Sequence, residues 1–116
     1  MPTNQSNQNT TILTTRAELK QHVKQHSVVI VKFKAEWCGP CKKIEPLVHT
    51  LMKQYSKINY VVVDVDDGSN IASYLKIRSI PTIVSYLDGD IHEILSSSNP
   101  TDIQNFFIKT NTYTSK

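Results

Sequence analysis

Both cysteines of the 116-residue chain lie in the stretch Ala35-Glu36-Trp37-Cys38-Gly39-Pro40-Cys41-Lys42, between an apolar β-branched run and a helical pattern. Proline is favoured at the first position of a helix because its φ is already helical and it has no N–H that needs a partner. Pro40 therefore predicts that a helix begins here, and Gly39 permits the tight turn before it. Cys38 then lies just before the first turn, where unpaired N–H groups and the helix dipole stabilise a thiolate.

This placement predicts that the pKa of the Cys38 thiol falls from that of a free cysteine toward neutrality. Cys41 follows three residues later, on nearly the same side of the helix and at a Cα separation that a disulfide can bridge. The pair is predicted to consist of one nucleophilic and one resolving thiol joined by a rigid link. A structural zinc site needs four ligands, usually with a second pair at a defined spacing, and the sequence lacks one. We therefore predict redox chemistry without a metal or a cofactor.

Length and composition indicate one domain of ordinary globular type. Hydrophobic residues make up 39% of the chain and charged residues 20%, and no basic run carries the net charge of +3. This pattern argues against a nucleic-acid-binding surface. No apolar segment approaches membrane-spanning length, and residues 1–10 lack the basic and apolar regions of a signal peptide. The sequence predicts a protein of a reducing, cytoplasmic compartment with no membrane partner.

Hydrophobic spacing predicts the order strand, helix, strand, helix, strand, helix, strand, strand, helix. The final strand pair is joined at Asp88-Gly89, which is a strong signal for a hairpin turn. An α/β fold with a central mixed sheet of four to five strands flanked by helices follows. We predict a disordered tail over residues 1–10, a domain over 11–109 and a flexible tail over 110–116. The predicted strands are 12–13, 28–35, 59–65, 82–87 and 90–95, and the predicted helices are 16–25, 40–55, 69–75 and one beginning after Asn99.

Trp37-Cys38-Gly39-Pro40-Cys41-Lys42 is identical to the active-site motif of thioredoxins, and from about Ile12 to about Lys109 the chain resembles that family. Ile80-Pro81-Thr82 follows the motif by about forty residues and strengthens the resemblance. The resemblance implies a thioredoxin-like fold and a thiol–disulfide oxidoreductase that reduces protein disulfides. Cys38 would attack a substrate disulfide, and Cys41 would resolve the mixed disulfide and leave the pair oxidised. The implied partners are disulfide-containing proteins and a thioredoxin reductase or another electron donor, and a monomer is expected.

The resemblance also implies a substrate-binding groove around the cysteines. Trp37 would give it a flat apolar contact surface, next to Gly39 and Pro40 of the motif. Ile80-Pro81 resembles the cis-proline loop that lies against the cysteine pair and presents backbone groups to an extended substrate. Ser97 stands where the family loop ends in glycine, and it would narrow the groove or change which substrates fit.

Lys32 is the main departure from the family pattern. It stands six residues before Cys38, where the family places a buried aspartate thought to move the proton of the resolving thiol. An ammonium there would favour the Cys41 thiolate, and a lysine with a depressed pKa could serve as a base. The favoured alternative is that Lys32 and Lys34 both extend to solvent and the proton leaves through water.

Two other functions stay open beside catalysis. A thioredoxin-fold binding module could hold a partner in the groove around Trp37 and Pro81 without turnover. A redox-regulated subunit could bind its partner only in the reduced form. The presence of both cysteines favours catalysis.

Overall fold

Five strands form one sheet in the order β1-β3-β2-β4-β5 in the computed structural model, which describes residues 10–115. β1, β3 and β2 are parallel, whereas β4 is antiparallel to β2 and β5 to β4. The strands are β1 (Thr10–Ile12), β2 (Val28–Lys34), β3 (Asn59–Asp64), β4 (Thr82–Leu87) and β5 (Asp90–Ser96). The helices are α1 (Arg16–Gln25), α2 (Gly39–Gln54), α3 (Ser69–Tyr74) and α4 (Pro100–Asn111), followed by a 3-10 turn (Thr112–Ser115). The predicted fold class is confirmed, with five strands.

Strand direction determines where the cysteine pair lies. Parallel β2 and β3 both end at one edge of the sheet, and antiparallel β4 begins at that edge. Helix α2 starts directly beyond the end of β2, so the cysteines lie beside the segment that enters β4. The hairpin predicted at Asp88-Gly89 is confirmed, because both residues have positive φ (52° and 90°), as a type I′ turn requires.

The two faces of the sheet are covered by different helices. Alternate residues of β2 point to opposite faces, so Val29 and Val31 pack toward α1 and α3, whereas Val28 and Ile30 pack toward α2 and α4. By this alternation Lys32 lies on the α2 side of the sheet. Each fully buried aliphatic side chain contributes about 1.5–3 kcal/mol to folding, so both layers stabilise the strand that leads to the cysteines.

The helix starts predicted from the sequence are present. Thr15 and Glu18 form a capping box at the start of α1, and the backbone N–H of Thr14 also donates to the Glu18 carboxylate. These hydrogen bonds, led by the one from Thr14, lower the pKa of Glu18. Asn99 caps α4 by accepting from two backbone N–H groups of the first turn.

The C-terminal boundary differs from the prediction. Helix α4 continues past the expected limit at residue 109, and Thr110 is 1% exposed. Its Oγ1 donates to the carbonyl oxygen of Phe106 at 2.8 Å, so a polar side chain can be buried there without an unpaired hydroxyl. At the other end, β1 begins at Thr10, and residues 1–9 of the predicted N-terminal tail lie outside the described residues. The predicted flexibility of both tails stays a prediction.

Candidate active site

Cys38 is the N-cap residue of α2, and it forms a disulfide with Cys41 across a Cα–Cα distance of 5.3 Å. The backbone N–H of Cys41 donates to Cys38 Sγ at 3.1 Å. Both residues are buried, with Cys38 3% and Cys41 7% exposed. They form a small cluster with Ala35, against which Val65 and Ile80 pack. The helix predicted to begin at Pro40 is present and starts one residue earlier, at Gly39, and this start brings the two sulfurs together.

The start of α2 is electrostatically suited to a thiolate. The first turn contains no acidic residue, and Lys42 and Lys43 are exposed there. The N–H of Cys41 is already directed at Cys38 Sγ, so it would donate to a negative charge on that sulfur. The lowered pKa of the Cys38 thiol stays a prediction with a geometric basis.

Trp37 projects from the site into solvent, with 68% of its surface exposed, so it is not a core tryptophan. Its Nε1 donates to Asp66 Oδ2 at 2.9 Å. Asp66 lies in the loop after β3, where Asp64 Oδ1 accepts the backbone N–H groups of Asp66 and Asp67. Nothing in the sequence around Asp66 indicates this role, because its partner lies 29 residues away.

The Ile80-Pro81 segment lies against the cysteine pair. Its peptide bond is cis, as the family resemblance implied, and the Ile80 carbonyl oxygen is 3.9 Å from Cys38 Sγ. Pro81 is buried and Ile80 is half-buried. Thr82 Oγ1 donates to the Ser79 carbonyl oxygen at 2.7 Å and lies 2.7 Å from Ser96 Oγ. The loop is thus attached to the end of β5 as well as to its own strand.

Ser97 is half-buried, and its hydroxyl is directed at the start of α4. Its Oγ donates to Asp102 Oδ2 at 3.0 Å and accepts the backbone N–H of Asn99 at 3.0 Å. The hydroxyl is therefore engaged with the helix cap. The predicted effect of Ser97 on the width of the groove stays a prediction.

Lys32 is 8% exposed and is one of the few buried polar or charged residues in the described part of the chain. Burial is the main cause that lowers the pKa of the Lys32 amine. The nearby Glu45 carboxylate raises this pKa in part, whereas the charge of Lys34 lowers it further. Lys34, by contrast, is half-exposed and forms an ion pair with Glu36, in which Lys34 Nζ lies 3.6 Å from Glu36 Oε2. A cavity of ≈ 80 Å³ is lined by Cys41, Glu45 and Lys34 among others. Lys32 and Cys41 are thus both neighbours of Glu45 on the same side of the sheet.

Within residues 10–115 there is no group of three or more histidine, cysteine and acidic side chains placed to hold a metal. His22 and His26 lie on α1, away from the cysteines, where His22 Nε2 contacts Asn59 Oδ1 and His26 Nδ1 lies 3.0 Å from the His22 carbonyl oxygen. No helix in the described part of the chain combines the length and apolar character needed to cross a membrane.

A cysteine pair at a helix N-terminus, bordered by an exposed indole and a buried proline, defines a dithiol–disulfide exchange site. Comparisons with known proteins agree. The family model described as Thioredoxin matches residues 10–109. Thioredoxin 1 of Plasmodium falciparum is 37% identical over 98 residues, which are 84% of this chain and 94% of the relative. The oxidised crystal structure of mitochondrial thioredoxin 3 from Saccharomyces cerevisiae has a TM-score of 0.83 at 30% identity, covering 90% of this chain and 99% of that one.

The chain belongs to the thioredoxin family. It is a thioredoxin-type thiol–disulfide oxidoreductase with protein-disulfide reductase activity, and Cys38–Cys41 is its active-site pair. The predictions of family, fold and reaction are confirmed. Family membership implies protein substrates and a reductase that returns the electrons.

Proposed function

We propose that Cys38 is the attacking thiolate and Cys41 the resolving thiol. The observation that carries this assignment is the Cys41 N–H directed at Cys38 Sγ at the start of α2. The Cys38 thiolate attacks one sulfur of a substrate disulfide, so that a mixed disulfide forms and a substrate thiolate leaves. Cys41 loses its proton and attacks Cys38 Sγ, which releases the second substrate thiolate and forms the Cys38–Cys41 disulfide. A reductase then returns two electrons and two protons to the pair.

The substrate-binding surface that we propose has two sides. Trp37, Gly39 and Pro40 are exposed on the helix side. Ile80 and Pro81 form the other side, with the Ile80 carbonyl oxygen near Cys38 Sγ. An extended substrate segment would place its disulfide between the two sides while its backbone meets the loop. Ser97 would border this surface from the end of β5.

Lys32 tunes the resolving step in this proposal. A buried amine with a lowered pKa spends more time neutral near physiological pH than an exposed lysine does. Its neighbour Glu45 lines the same cavity as Cys41, so a proton from Cys41 has a short polar route toward solvent. Either the amine accepts this proton or its charge stabilises the Cys41 thiolate, and both make the pH dependence of turnover depend on Lys32.

We also propose a monomer in a reducing, cytoplasmic compartment, with no membrane or nucleic-acid partner. Two core clusters are completed within the one chain, which supports a monomer. A thioredoxin reductase is the proposed electron donor. One solved structure describes how the thiol of yeast mitochondrial 1-Cys peroxiredoxin is resolved via glutathione/thioredoxin systems. A chain in that structure matches this protein with a TM-score of 0.83. An oxidised peroxiredoxin-type cysteine is therefore one substrate class to test.

The roles of the two cysteines are tested by reduction of insulin disulfides with dithiothreitol as the electron source. The intact protein should accelerate the reaction, and Cys38→Ser should abolish the acceleration. In a separate reaction with insulin and without dithiothreitol, Cys41→Ser that has been reduced beforehand should instead accumulate a mixed disulfide on Cys38, detected by mass spectrometry after alkylation of free thiols. Ser73→Ala on an exposed position of α3 serves as the control and should react like the intact protein.

An adduct that forms on Cys41 in Cys38→Ser, with none on Cys38 in Cys41→Ser, would reverse the assignment. No acceleration by the intact protein would instead favour a binding module that uses the surface around Trp37 and Pro81.

A further inference from the structure

A groove of ≈ 710 Å³ lies on the face of the sheet opposite α2. It runs along α1, between α3 and the β4–β5 hairpin. Its floor consists of the buried side chains Leu19, Val23 and Tyr86. Tyr74 and Ile91 line it as well, and they are 59% and 46% exposed. The groove therefore presents apolar surface to solvent at a distance from the redox chemistry.

The apolar surface continues beyond the groove along β5. Ile94 is 51% exposed and lies opposite Val84, and Ile91 lies opposite Tyr86. Val84 and Tyr86 both belong to the core on the α1 and α3 side, so Ile91 and Ile94 face that side too. An elongated apolar strip of this kind suits several side chains of a linear segment better than one compact ligand.

One edge of the groove carries a row of cations. Arg16, Lys20 and Lys24 are four residues apart on α1, so they lie on one helix face at intervals of about 6 Å. Within residues 10–115, the ion pairs are Lys34–Glu36 and Lys109–Glu93, so none of the three cations is neutralised there. Among residues 10–115, Asp90 is the one carboxylate in the lining.

Two neighbouring contacts maintain this charge pattern. The Arg16 guanidinium lies 3.8 Å from the centroid of the Tyr74 ring, which holds its charge at the end of the groove. Glu18, the acidic residue of α1, is engaged at the start of the helix by the N–H groups of Thr14 and Thr15. Its carboxylate is held at the helix N-terminus, and among residues 10–115 Glu18 does not line the groove.

We propose that this basic–apolar groove binds an acidic amphipathic segment of a partner protein. The apolar side chains of the segment would cover Tyr86 and Ile91, and its carboxylates would pair with Arg16, Lys20 and Lys24. Acidic residues four apart on a helix, or two apart on an extended strand, match the interval of about 6 Å between the cations. Because α2 is on the other face, a partner held here would leave the cysteine pair free to react.

The test begins with selection of a phage-displayed library of random 16-residue peptides on the intact full-length protein. The proposal requires enriched sequences that combine apolar residues with a net negative charge. An enriched peptide is then synthesised with a fluorescent label and titrated by anisotropy. Lys20→Glu with Lys24→Glu should weaken its binding about tenfold or more, because two attractive contacts become repulsive. Lys53→Glu with Lys57→Glu makes the same change of charge elsewhere on the surface and should change binding by less than about twofold.

A second pair of variants tests the apolar half of the groove. Ile91→Thr should weaken peptide binding severalfold, whereas Ile108→Thr removes an equally exposed isoleucine from α4 and should not. Insulin reduction should be unchanged in all of these variants, which separates this proposal from the proposed roles of the cysteines. Circular dichroism verifies folding, and Lys20→Gln with Lys24→Gln replaces the glutamate pair if that pair unfolds.

Several outcomes would overturn the proposal. One is a selection without acidic, apolar sequences. Another is equal weakening by the two lysine pairs, which would indicate only general charge attraction. A third is displacement of the peptide by anionic lipid vesicles or a DNA oligonucleotide together with no effect of Ile91→Thr, which would indicate a polyanion surface.

Discussion

The hydrogen bond between Trp37 and Asp66 makes a quantitative prediction about substrate binding. The indole is 68% exposed, and Nε1 donates to Asp66 Oδ2 at 2.9 Å. Asp66→Ala removes the acceptor and lets the indole occupy other rotamers. A hydrogen bond to a charged group contributes about 1.5–3 kcal/mol when shielded, and water competes at this exposed site, so we expect about 0.5–1 kcal/mol here. Because about 1.4 kcal/mol corresponds to a tenfold change, kcat/KM for insulin reduction should fall about two- to fivefold.

The loss should appear mainly as a higher KM, since in the proposed substrate-binding surface the indole would contact the substrate both before and during reaction and so contribute uniform binding. Trp37 is the single tryptophan of the chain, so acrylamide quenching of its fluorescence reports the same change directly. Asp67→Ala is the matched control, because it removes the same charge from the same loop and leaves the acceptor of the indole in place. Asp66→Asn keeps an oxygen acceptor, so its KM and its quenching should lie between those of the intact protein and those of Asp66→Ala. If Asp66→Ala and Asp67→Ala agree in both KM and quenching, the hydrogen bond does not position Trp37.

Three further predictions concern stability and proton chemistry. Thr15→Ala removes the capping box of α1 and should lower the free energy of unfolding in urea by about 1 kcal/mol, and an equal loss in Thr14→Ala would show that the cap contributes nothing. Gly68→Ala would place a Cβ 2.8 Å from a valine methyl carbon of β3 and should destabilise by about 1–3 kcal/mol, whereas Gly39→Ala meets nothing within 4 Å and should not. Lys32→Met should raise the free energy of unfolding near pH 7, because the buried ammonium is penalised only in the folded state. Since that penalty is lost as pH rises from the lowered pKa to the ordinary value of 10.5, the gain should shrink over this range, and a constant gain would contradict the argument. The pH profile of insulin reduction by Lys32→Met should shift as well, with Lys34→Met as the control.

The parts of the fold that the sequence predicts well depend on local chemistry. Pro40 and Asn99 indicate helix starts through backbone preferences that act within a few residues; α4 begins where predicted and α2 begins one residue earlier, at Gly39. The apolar β4 pattern ends at the Asp88-Gly89 turn, so the predicted strand 82–87 agrees with the observed one. The geometry of the cysteine motif also depends on local chemistry, because the helix cap brings together two cysteines that are three residues apart.

The remaining features depend on tertiary structure. The partner of Trp37 lies in a loop after another strand, and only the assembled sheet places it within reach. Lys32 can be assigned to a strand from its neighbours, but the depth of its burial depends on how α2 crosses that strand. The general preference of lysine for the surface predicts a solvent-exposed amine, and this prediction is wrong, because Lys32 is 8% exposed. The burial of Thr110 also depends on tertiary packing. Its hydroxyl donates to a backbone carbonyl of its own helix, but it is the packing of the helices that buries the residue.

The burial of Cys38 affects which disulfides can reach its sulfur. Because 3% of the residue is exposed, a disulfide bound at the proposed substrate surface would reach its sulfur by entering between Trp37 and the Ile80-Pro81 segment. A disulfide locked inside a rigid domain cannot make that approach, whereas one in a mobile or partly unfolded chain can. On the proposed surface, the flexibility of a substrate disulfide should matter before the sequence around it does. We therefore expect disulfides in mobile or partly unfolded segments to be reduced faster than those held inside rigid domains.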